Sequence, residues 1–476
     1  MILKFFSRYK TSYIRSLVYM FQAVEYSVRD YLLWLQRVTD FNTVEKRKSL
    51  VKTSKAQFLL ISGWCLFLLL WILAFSLLFM TTGILKYLWF ILAIIILPYI
   101  FSYLLILPLW LIKAAQKPIE YFIIRRAKKI LSQHKALKIA IAGSYGKTTM
   151  REILKTVLSA KKKTAAPPGS YNTPLGISTF ISELKGDEEI LIFELGEYYP
   201  GDIMKLCRFV KPDIGVITGV NEAHLQKFKT LEKTAQTIFE LSDWLGEKIL
   251  YLNAEDAIVK KYAKTNSVFY SREGAGLNKV QRASADISGL DFTVQSARGE
   301  LRLKSSLLGL HQIGPILVAI DMAIGLDMDI AEIERVVLAI KPFEHRLEPK
   351  TDSNGVITLD DSYNGNPSGV KVIIEFLAGL KNHRRWYVSP GLVEMGSRSK
   401  EVHIDIGRQL ALAGIEKVVL MRNSVTPFIA EGLEQNAYQG EIVWFDDPLK
   451  AYEALPHMTL RGDIVVLQND WPDQYA

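Results

Sequence analysis

The sequence GSYGKTT at residues 143–149 constrains the fold more than any other part of this 476-residue chain. Residues 138–142 before it are apolar after Lys138 and partly β-branched, and residues 150–158 after it carry apolar side chains at helical spacing. This order predicts a buried strand, a glycine-rich turn and a helix. Such a turn binds phosphate, because backbone N–H groups and the helix N-terminus face the anion and Lys147 adds a positive charge. Thr148 is placed to offer its hydroxyl to Mg²⁺.

Two uncharged runs, residues 56–85 and 87–112, precede this motif and are separated only by Lys86. Each exceeds the roughly 20 residues that cross a bilayer. We therefore expect a membrane-associated region at 1–135, with a two-helix transmembrane hairpin whose helices lie near 57–80 and 88–112.

Charge predicts the orientation of this hairpin and its partners. Residues 1–135 hold 19 of the 58 Lys and Arg but only 5 of the 49 Asp and Glu. The basic residues flank the hairpin, so both of its ends are expected on the cytoplasmic side. The predicted location is the cytoplasmic membrane, multi-pass, with the remaining domains facing the cytoplasm. Basic residues beside apolar runs indicate attraction to a membrane surface, so nucleic acid is not an expected partner.

Strand-like runs at 190–196, 213–220 and 248–253 alternate with helical segments after the phosphate loop. This alternation predicts an α/β fold with a mostly parallel sheet. In such sheets the ligand binds at the carboxyl ends of the strands. The phosphate loop, Glu194, Asn221 and His224 all fall at such ends, so we expect them to form one site.

Several of these segments resemble the Mur ligases, the ATP-dependent ligases that build peptidoglycan stem peptides. The resemblance rests on the short phosphate loop, on Asn172 in NTPLGI, on Glu194 in FELG and on His224 in NEAHL. It extends to DDSYNGNP at 360–367, which is similar to the form found in members that add D-alanyl-D-alanine.

The resemblance implies a P-loop ATPase-type parallel-sheet central domain at 136–343 and a Rossmann-like C-terminal domain at 344–476, with ATP and Mg²⁺ as cofactors. It implies catalytic roles for Lys147, Glu194, His224 and Arg346. It implies Mg²⁺ binding by Thr148, Glu194 and His224. The nucleotide-binding residues it implies are Gly143, Ser144, Gly146, Lys147, Thr148, Thr149, Asn172, Arg346, Asn364 and Asn366.

The implied function is ATP-dependent amide-bond formation in peptidoglycan precursor synthesis. A muramoyl peptide, UDP- or lipid-linked, is activated as an acyl phosphate, and D-alanyl-D-alanine or a similar amino compound attacks it. The chain departs from the family at two positions: the carbamylated lysine expected after His224 aligns with Gln236 or Ile238, and the aspartate that helps hold the amino substrate is Gly391. Two alternatives therefore stay open, a membrane-bound poly-amino-acid ligase of polyglutamate type and an ATP-binding scaffold.

Overall fold

The computed structural model describes residues 2–45, 49–80, 83–169, 171–222, 228–264, 267–363, 365–393, 395–446 and 448–469. These residues form two compact units, of which one extends to Phe122 and the other begins at Ile123.

The first unit is helical. Its helices are α1 (Ile2–Phe6), α2 (Ser12–Ala23), α3 (Val28–Arg37), α4 (Ser54–Met80), α5 (Leu85–Leu104) and the first part of α6 (Ile106–Gln133). Its core is rich in aromatic side chains, and two buried tyrosine hydroxyls donate to backbone oxygens of α5: Tyr13 to Pro98 at 2.9 Å and Tyr31 to Ser102 at 2.8 Å. These hydrogen bonds satisfy polar groups that would otherwise be buried without partners.

Two helical stretches of the described chain, Ser54–Ser76 and Lys86–Gln133, are long and apolar enough to cross a bilayer by length and composition. The predicted second helix at 88–112 is divided, since α5 ends at Leu104 and α6 begins at Ile106. Pro108 has no N–H to donate to the carbonyl four residues earlier, on Leu104, which accounts for an interruption at this point.

The second unit contains a ten-stranded sheet in the order β10-β9-β8-β7-β6-β5-β4-β1-β3-β2. Its strands are β1 (Leu137–Ala142), β2 (Thr164–Ala165), β3 (Ile190–Glu194), β4 (Ile214–Ile217), β5 (Leu250–Asn253), β6 (Ser267–Ser271), β7 (Gly274–Ala275), β8 (Asn278–Asp286), β9 (Gly289–Ser296) and β10 (Gly299–Ser305). Strands β1 to β6 pair in parallel, and β6 to β10 continue the sheet as an antiparallel meander.

Helices cover this sheet and explain its apolar central strands. They are α7 (Lys147–Leu158), α8 (Pro174–Glu183), α9 (Asp202–Val210), α10 (Leu231–Leu245), α11 (Ala257–Tyr262), α12 (Ile313–Gly325) and α13 (Ile330–Leu338). All five residues of β3 are buried, as expected of a parallel strand with both faces covered. On α7 the buried side chains Met150, Ile153, Leu154, Val157 and Leu158 follow helical periodicity.

A second sheet of six strands has the order β11-β12-β16-β13-β14-β15. Its strands are β11 (Glu348–Thr351), β12 (Ile357–Asp361), β13 (Arg385–Ser389), β14 (Lys417–Met421), β15 (Glu441–Phe445) and β16 (Ile464–Gln468), and the connecting helices are α14 (Pro367–Gly379), α15 (Ser399–Leu412), α16 (Thr426–Gln435) and α17 (Pro448–Met458). All neighbouring pairs are parallel except β11 with β12. Both sheets therefore present strand carboxyl ends where a ligand can bind.

Candidate nucleotide and metal site

The phosphate loop joins the end of β1 to the start of α7, as the sequence predicts. Gly143 has a φ of 143°, and a Cβ there would lie 2.2 Å from Thr218 Oγ1, so the loop approaches the end of β4 too closely for a side chain. The first N–H groups of α7 have no partner within the helix, because the helix geometry leaves them unpaired. The hydroxyl oxygen of Ser144 is also buried without a hydrogen-bond partner in the described part of the chain.

Lys147, the first residue of α7, donates to three oxygen acceptors on two residues of the loop region. Its Nζ donates to the backbone oxygen of Gly143 and to both carboxylate oxygens of Glu197, at 3.1 and 3.0 Å. Glu197 follows β3 and is only 3% exposed. Glu197 was not among the residues predicted from the sequence, because it lies three residues beyond the strand end that singled out Glu194.

Thr148 and Glu194 lie together, as the sequence predicts. The Thr148 hydroxyl donates to Glu194 Oε2 at 3.2 Å, and the Arg151 guanidinium lies 2.7 Å from Glu194 Oε1. Burial raises the pKa of the Glu194 carboxyl, and the charges of Arg151 and Lys147 oppose this rise. Arg151 was also missed, although it follows Lys147 by four residues and therefore shares a face of α7.

A third carboxylate, Asp256, organises the loop from the end of β5. Its Oδ2 accepts hydrogen bonds from the Tyr145 hydroxyl at 3.0 Å and from the Val220 N–H at 2.8 Å, while Oδ1 caps α11. Burial and this carboxylate raise the pKa of Tyr145. Tyr145 therefore acts as a neutral donor that fixes the loop.

The second sheet meets the first through polar groups at strand ends. Asn221, after β4, donates from Nδ2 to Asn366 Oδ1 at 2.7 Å, and the same oxygen accepts the Gly369 N–H as the N-cap of α14. A cavity of about 510 Å³ opens beside this contact. Five of the predicted residues line it: Gly146, Thr149, Asn221, Arg346 and Asn366.

Arg346 reaches the cavity from the segment before β11. Its Nη1 donates to the Tyr363 carbonyl at 3.0 Å, and its guanidinium carbon lies 4.9 Å from the Tyr363 ring centroid. Asp361, at the end of β12, is also a lining residue, and burial raises the pKa of its carboxyl. The cavity thus combines a phosphate loop with a cationic side chain from the other sheet.

Arg272 and His311 also line the cavity. Arg272 contacts Glu255 at 3.0 Å and Glu375 of α14 at 2.5 Å. Burial together with Arg272 lowers the pKa of His311 to about 4.

Asn172 lies beside the loop after β3. Its backbone oxygen accepts the Gly196 N–H at 3.0 Å, and its Oδ1 accepts the Tyr198 hydroxyl at 3.4 Å. The predicted His224 and Asn364 lie outside the described residues. Neither candidate for the family's lysine resembles a metal ligand, since Gln236 is exposed on α10 and Ile238 is buried in the core.

The oxygen ligands that Thr148 and Glu194 offer suit one Mg²⁺ ion. The hydroxyl of Thr148 and the Oε2 of Glu194 are hard oxygen ligands within 3.2 Å of each other, and Mg²⁺ prefers such ligands together with substrate phosphates. Over the residues that the structure describes, no group of three or more His, Cys, Asp or Glu could hold a metal ion. The protein thus offers a small part of the coordination sphere, which fits a cation that arrives with phosphate oxygens.

Gly391, at the position where the family resemblance implies an aspartate, has a φ of +82°. Beside it, His403 is fully buried: its Nε2 accepts the Leu392 N–H at 2.9 Å and its Nδ1 faces the Ser399 carbonyl at 2.6 Å. Burial lowers the pKa of His403. His403 therefore supports the loop around Gly391 as a neutral side chain.

A glycine-rich phosphate loop on a parallel sheet, facing polar strand ends of a second sheet, defines a nucleotide-binding α/β protein. The Mur ligase middle domain matches residues 141–323, and the Mur ligase glutamate ligase domain matches residues 345–468. The chain belongs to the Mur ligase family.

Curated relatives carry the name UDP-N-acetylmuramoyl-tripeptide–D-alanyl-D-alanine ligase. The Mycobacterium tuberculosis H37Rv protein is 29% identical over 294 residues, which is 60% of this chain and 58% of the relative. The Bacillus subtilis protein is 24% identical over 349 residues, covering 72% of this chain and 75% of the relative. The chain thus spans less than two thirds of the mycobacterial protein.

Solved structures with the same fold include two MurF proteins. MurF from Acinetobacter baumannii has a TM-score of 0.64 and 21% identity, covering 75% of this chain and 78% of that one. MurF from Thermotoga maritima, in complex with ADP, has a TM-score of 0.64 and 25% identity, covering 74% of this chain and 80% of that one. The α/β fold with a large, mostly parallel sheet agrees with the sequence prediction.

The predicted multi-pass location in the cytoplasmic membrane is wrong. The relatives are MurF enzymes, which are soluble cytoplasmic proteins. The two long apolar helices meet only a test of length and composition, which is weak evidence for a multi-pass membrane protein.

Proposed function

We propose that this chain is an ATP-dependent ligase that joins D-alanyl-D-alanine to the peptide carboxylate of a UDP-linked muramoyl tripeptide. The observation that carries the proposal is the cavity of about 510 Å³, lined by the phosphate loop of one sheet and by Arg346 and Asn366 of the other. A ligase of this kind must hold a nucleotide and two further reactants in one place. The names of the curated relatives supply the substrates.

We propose the following division of labour. The residues 136–343 form a nucleotide-binding domain, and residues 344–476 form a domain that completes the site. Lys147 binds the β- and γ-phosphates, and the unpartnered hydroxyl of Ser144 donates to a phosphate oxygen. Thr148 and Glu194 hold Mg²⁺, with His224 as a further ligand, and this cation supplies charge neutralisation to the phosphates when it is bound.

To form the amide bond, the protein must position the reactants and stabilise the negative charge on the transferring phosphoryl group, and it need not form a covalent bond to them. The substrate carboxylate oxygen attacks the γ-phosphorus, the bond to the β-phosphate oxygen breaks, and an acyl phosphate forms. Arg346 and Lys147 stabilise the negative charge on the transferring group. The amine of D-alanyl-D-alanine next attacks the acyl carbon, loses a proton and expels inorganic phosphate. Asn172 and Asn366 position phosphate and nucleotide, and we assign Asn364 to the same task.

The test is a labelled reaction with the purified full-length chain, ATP, Mg²⁺, D-alanyl-D-alanine and UDP-linked muramoyl tripeptide whose acceptor carboxylate carries ¹⁸O. Phosphate should be released only when both organic substrates are present, and each phosphate should carry one ¹⁸O atom from the carboxylate. Release without ¹⁸O would exclude an acyl phosphate, and no release would exclude this substrate pair.

Two matched lysine variants on α7 test the role given to Lys147. Lys147→Met should abolish the labelled phosphate, because its ammonium group contacts the transferring phosphate. Lys155→Met, on the same helix two turns later, should react like the unmodified chain. Equal activity of the two variants would contradict the role given to Lys147.

A further inference from the structure

Glu197 is a buried carboxylate that the proposed reaction does not use. Its side chain is 2% exposed, and the Lys147 side chain that it contacts is 14% exposed. Both carboxylate oxygens lie within 3.1 Å of Lys147 Nζ. The carboxylate therefore occupies the coordination of the lysine that a nucleotide phosphate requires.

This arrangement creates a conflict of charge when phosphate arrives. A buried ion pair is stable only while each charge has a partner, and a buried charge that loses its partner is strongly unfavourable. A phosphate that takes over Lys147 leaves Glu197 buried, negative and close to further negative oxygens. A positive ion must then take the place of the lysine beside Glu197.

The neighbouring groups indicate which positive ion this is. Arg151 is already engaged with Glu194 at 2.7 Å and with the Gly169 carbonyl and Glu152. Thr148 and Glu194 Oε2 offer hard oxygen ligands at the start of the same helix. A divalent cation that enters with the phosphates meets oxygen donors there and lies within the same loop region as Glu197.

We infer that Glu197 exchanges partners during nucleotide binding: it leaves Lys147 and binds the divalent cation that accompanies the phosphates. Glu197 thereby makes nucleotide affinity dependent on that cation, because without it the carboxylate competes with phosphate for Lys147. This inference rests on the proposed function for the identity of the ligand. It adds a second carboxylate, after Glu194, to the cation site.

The experiment measures ADP affinity by isothermal titration calorimetry, with Mg²⁺ and with EDTA, for the full-length chain and three variants. Glu197→Gln removes the competing charge, and Glu197→Asp retains it. Glu189→Gln is the matched control, because Glu189 also pairs with a lysine, Lys162, at 2.7 Å, but lies exposed before the start of β3.

We expect Glu197→Gln to bind Mg²⁺-free ADP roughly tenfold more tightly than the unmodified chain, since Lys147 then lacks a competitor. The gain in affinity on adding Mg²⁺ should shrink by a similar factor. Mn²⁺ titrated into the ADP complex and followed by electron paramagnetic resonance should bind roughly tenfold more weakly to Glu197→Gln. Glu197→Asp and Glu189→Gln should keep the coupling between cation and nucleotide.

Two results in Glu197→Gln would overturn the exchange. The first is unchanged coupling between cation and nucleotide, and the second is weaker ADP binding by the same factor with and without Mg²⁺, which would make Glu197 only a support for Lys147. If Glu197→Gln does not fold, loss of that coupling in Glu197→Asp or in Glu189→Gln would equally contradict the exchange. Failure of the unmodified chain to bind ADP with Mg²⁺ would instead remove the proposed function itself.

Discussion

A side chain at Gly391 should destabilise the second sheet, and the effect can be separated into backbone and packing parts. Gly391 has a φ of +82°, and a Cβ there would lie 2.7 Å from Val425 Cγ2 and 3.0 Å from His403 Nε2. An L-residue in the left-handed region costs about 1–2 kcal/mol. Forcing a new atom into a packed site adds about 1–3 kcal/mol. Gly391→Ala should therefore cost about 2–5 kcal/mol.

Gly414 provides the matched control because its φ is +62° and no atom lies within 4 Å of a Cβ built there. Gly414→Ala should carry only the backbone cost, about 1–2 kcal/mol. Hydrogen exchange by mass spectrometry on the amides of β14, which lies in the same sheet, measures both. We expect exchange in Gly391→Ala to be about tenfold or more faster than in Gly414→Ala, since 1.4 kcal/mol is a factor of ten.

Equal acceleration in the two variants would refute the packing argument. The same argument applies to aspartate, the residue that the family resemblance places here, because it adds the same Cβ. The loop around Gly391 is thus built for a glycine, and its partner His403 keeps the Leu392 N–H satisfied only while that space stays empty.

Two further predictions concern the rim of the cavity. Because the pKa of His311 is lowered to about 4 from its ordinary 6.5, the unfolded chain binds more protons between these values, so stability is lost as the pH falls from about 7 towards 4, by up to about 1.4 kcal/mol per pH unit. Melting temperatures of His311→Gln should fall less steeply over pH 7 to 5, and an unchanged slope would contradict this. Arg272 and Glu375 are 28% and 49% exposed, so solvent screens their ion pair. A double-mutant cycle on thermal stability should therefore give a coupling energy of less than about 1 kcal/mol, and a value of about 2 kcal/mol or more would contradict this.

The local features of the fold were predictable because each follows from neighbouring residues. The order of β1, phosphate loop and α7 is encoded within about two dozen residues by β-branched residues, glycines and helical periodicity. Glu194 is placed at a strand end by the same reasoning. The division of the predicted helix at 88–112 follows from Pro108, whose missing N–H is a local property that a count of apolar residues does not register.

Contacts between distant segments could not be predicted in this way. Asn221 and Asn366 are 145 residues apart, and Tyr145 reaches Asp256 across 111 residues. Their pairing depends on the order of strands in the sheet, which periodicity does not determine. Glu197 was missed for a related reason, since only the fold shows that the loop after β3 turns its carboxylate towards Lys147.

Because β1 lies inside the large sheet, it cannot complete its pairing until later strands have been synthesised. β1 is flanked by β3 and by β4, and both lie after it in the chain. At about 5–20 residues per second, roughly 4–15 seconds separate the synthesis of Ala142 from that of Ile217. Throughout this interval β1 and the phosphate loop exist without at least one of the two neighbouring strands, β3 and β4. Asn366 is synthesised later still. Nucleotide can therefore assist only the late steps of folding, after most of the binding residues have been made.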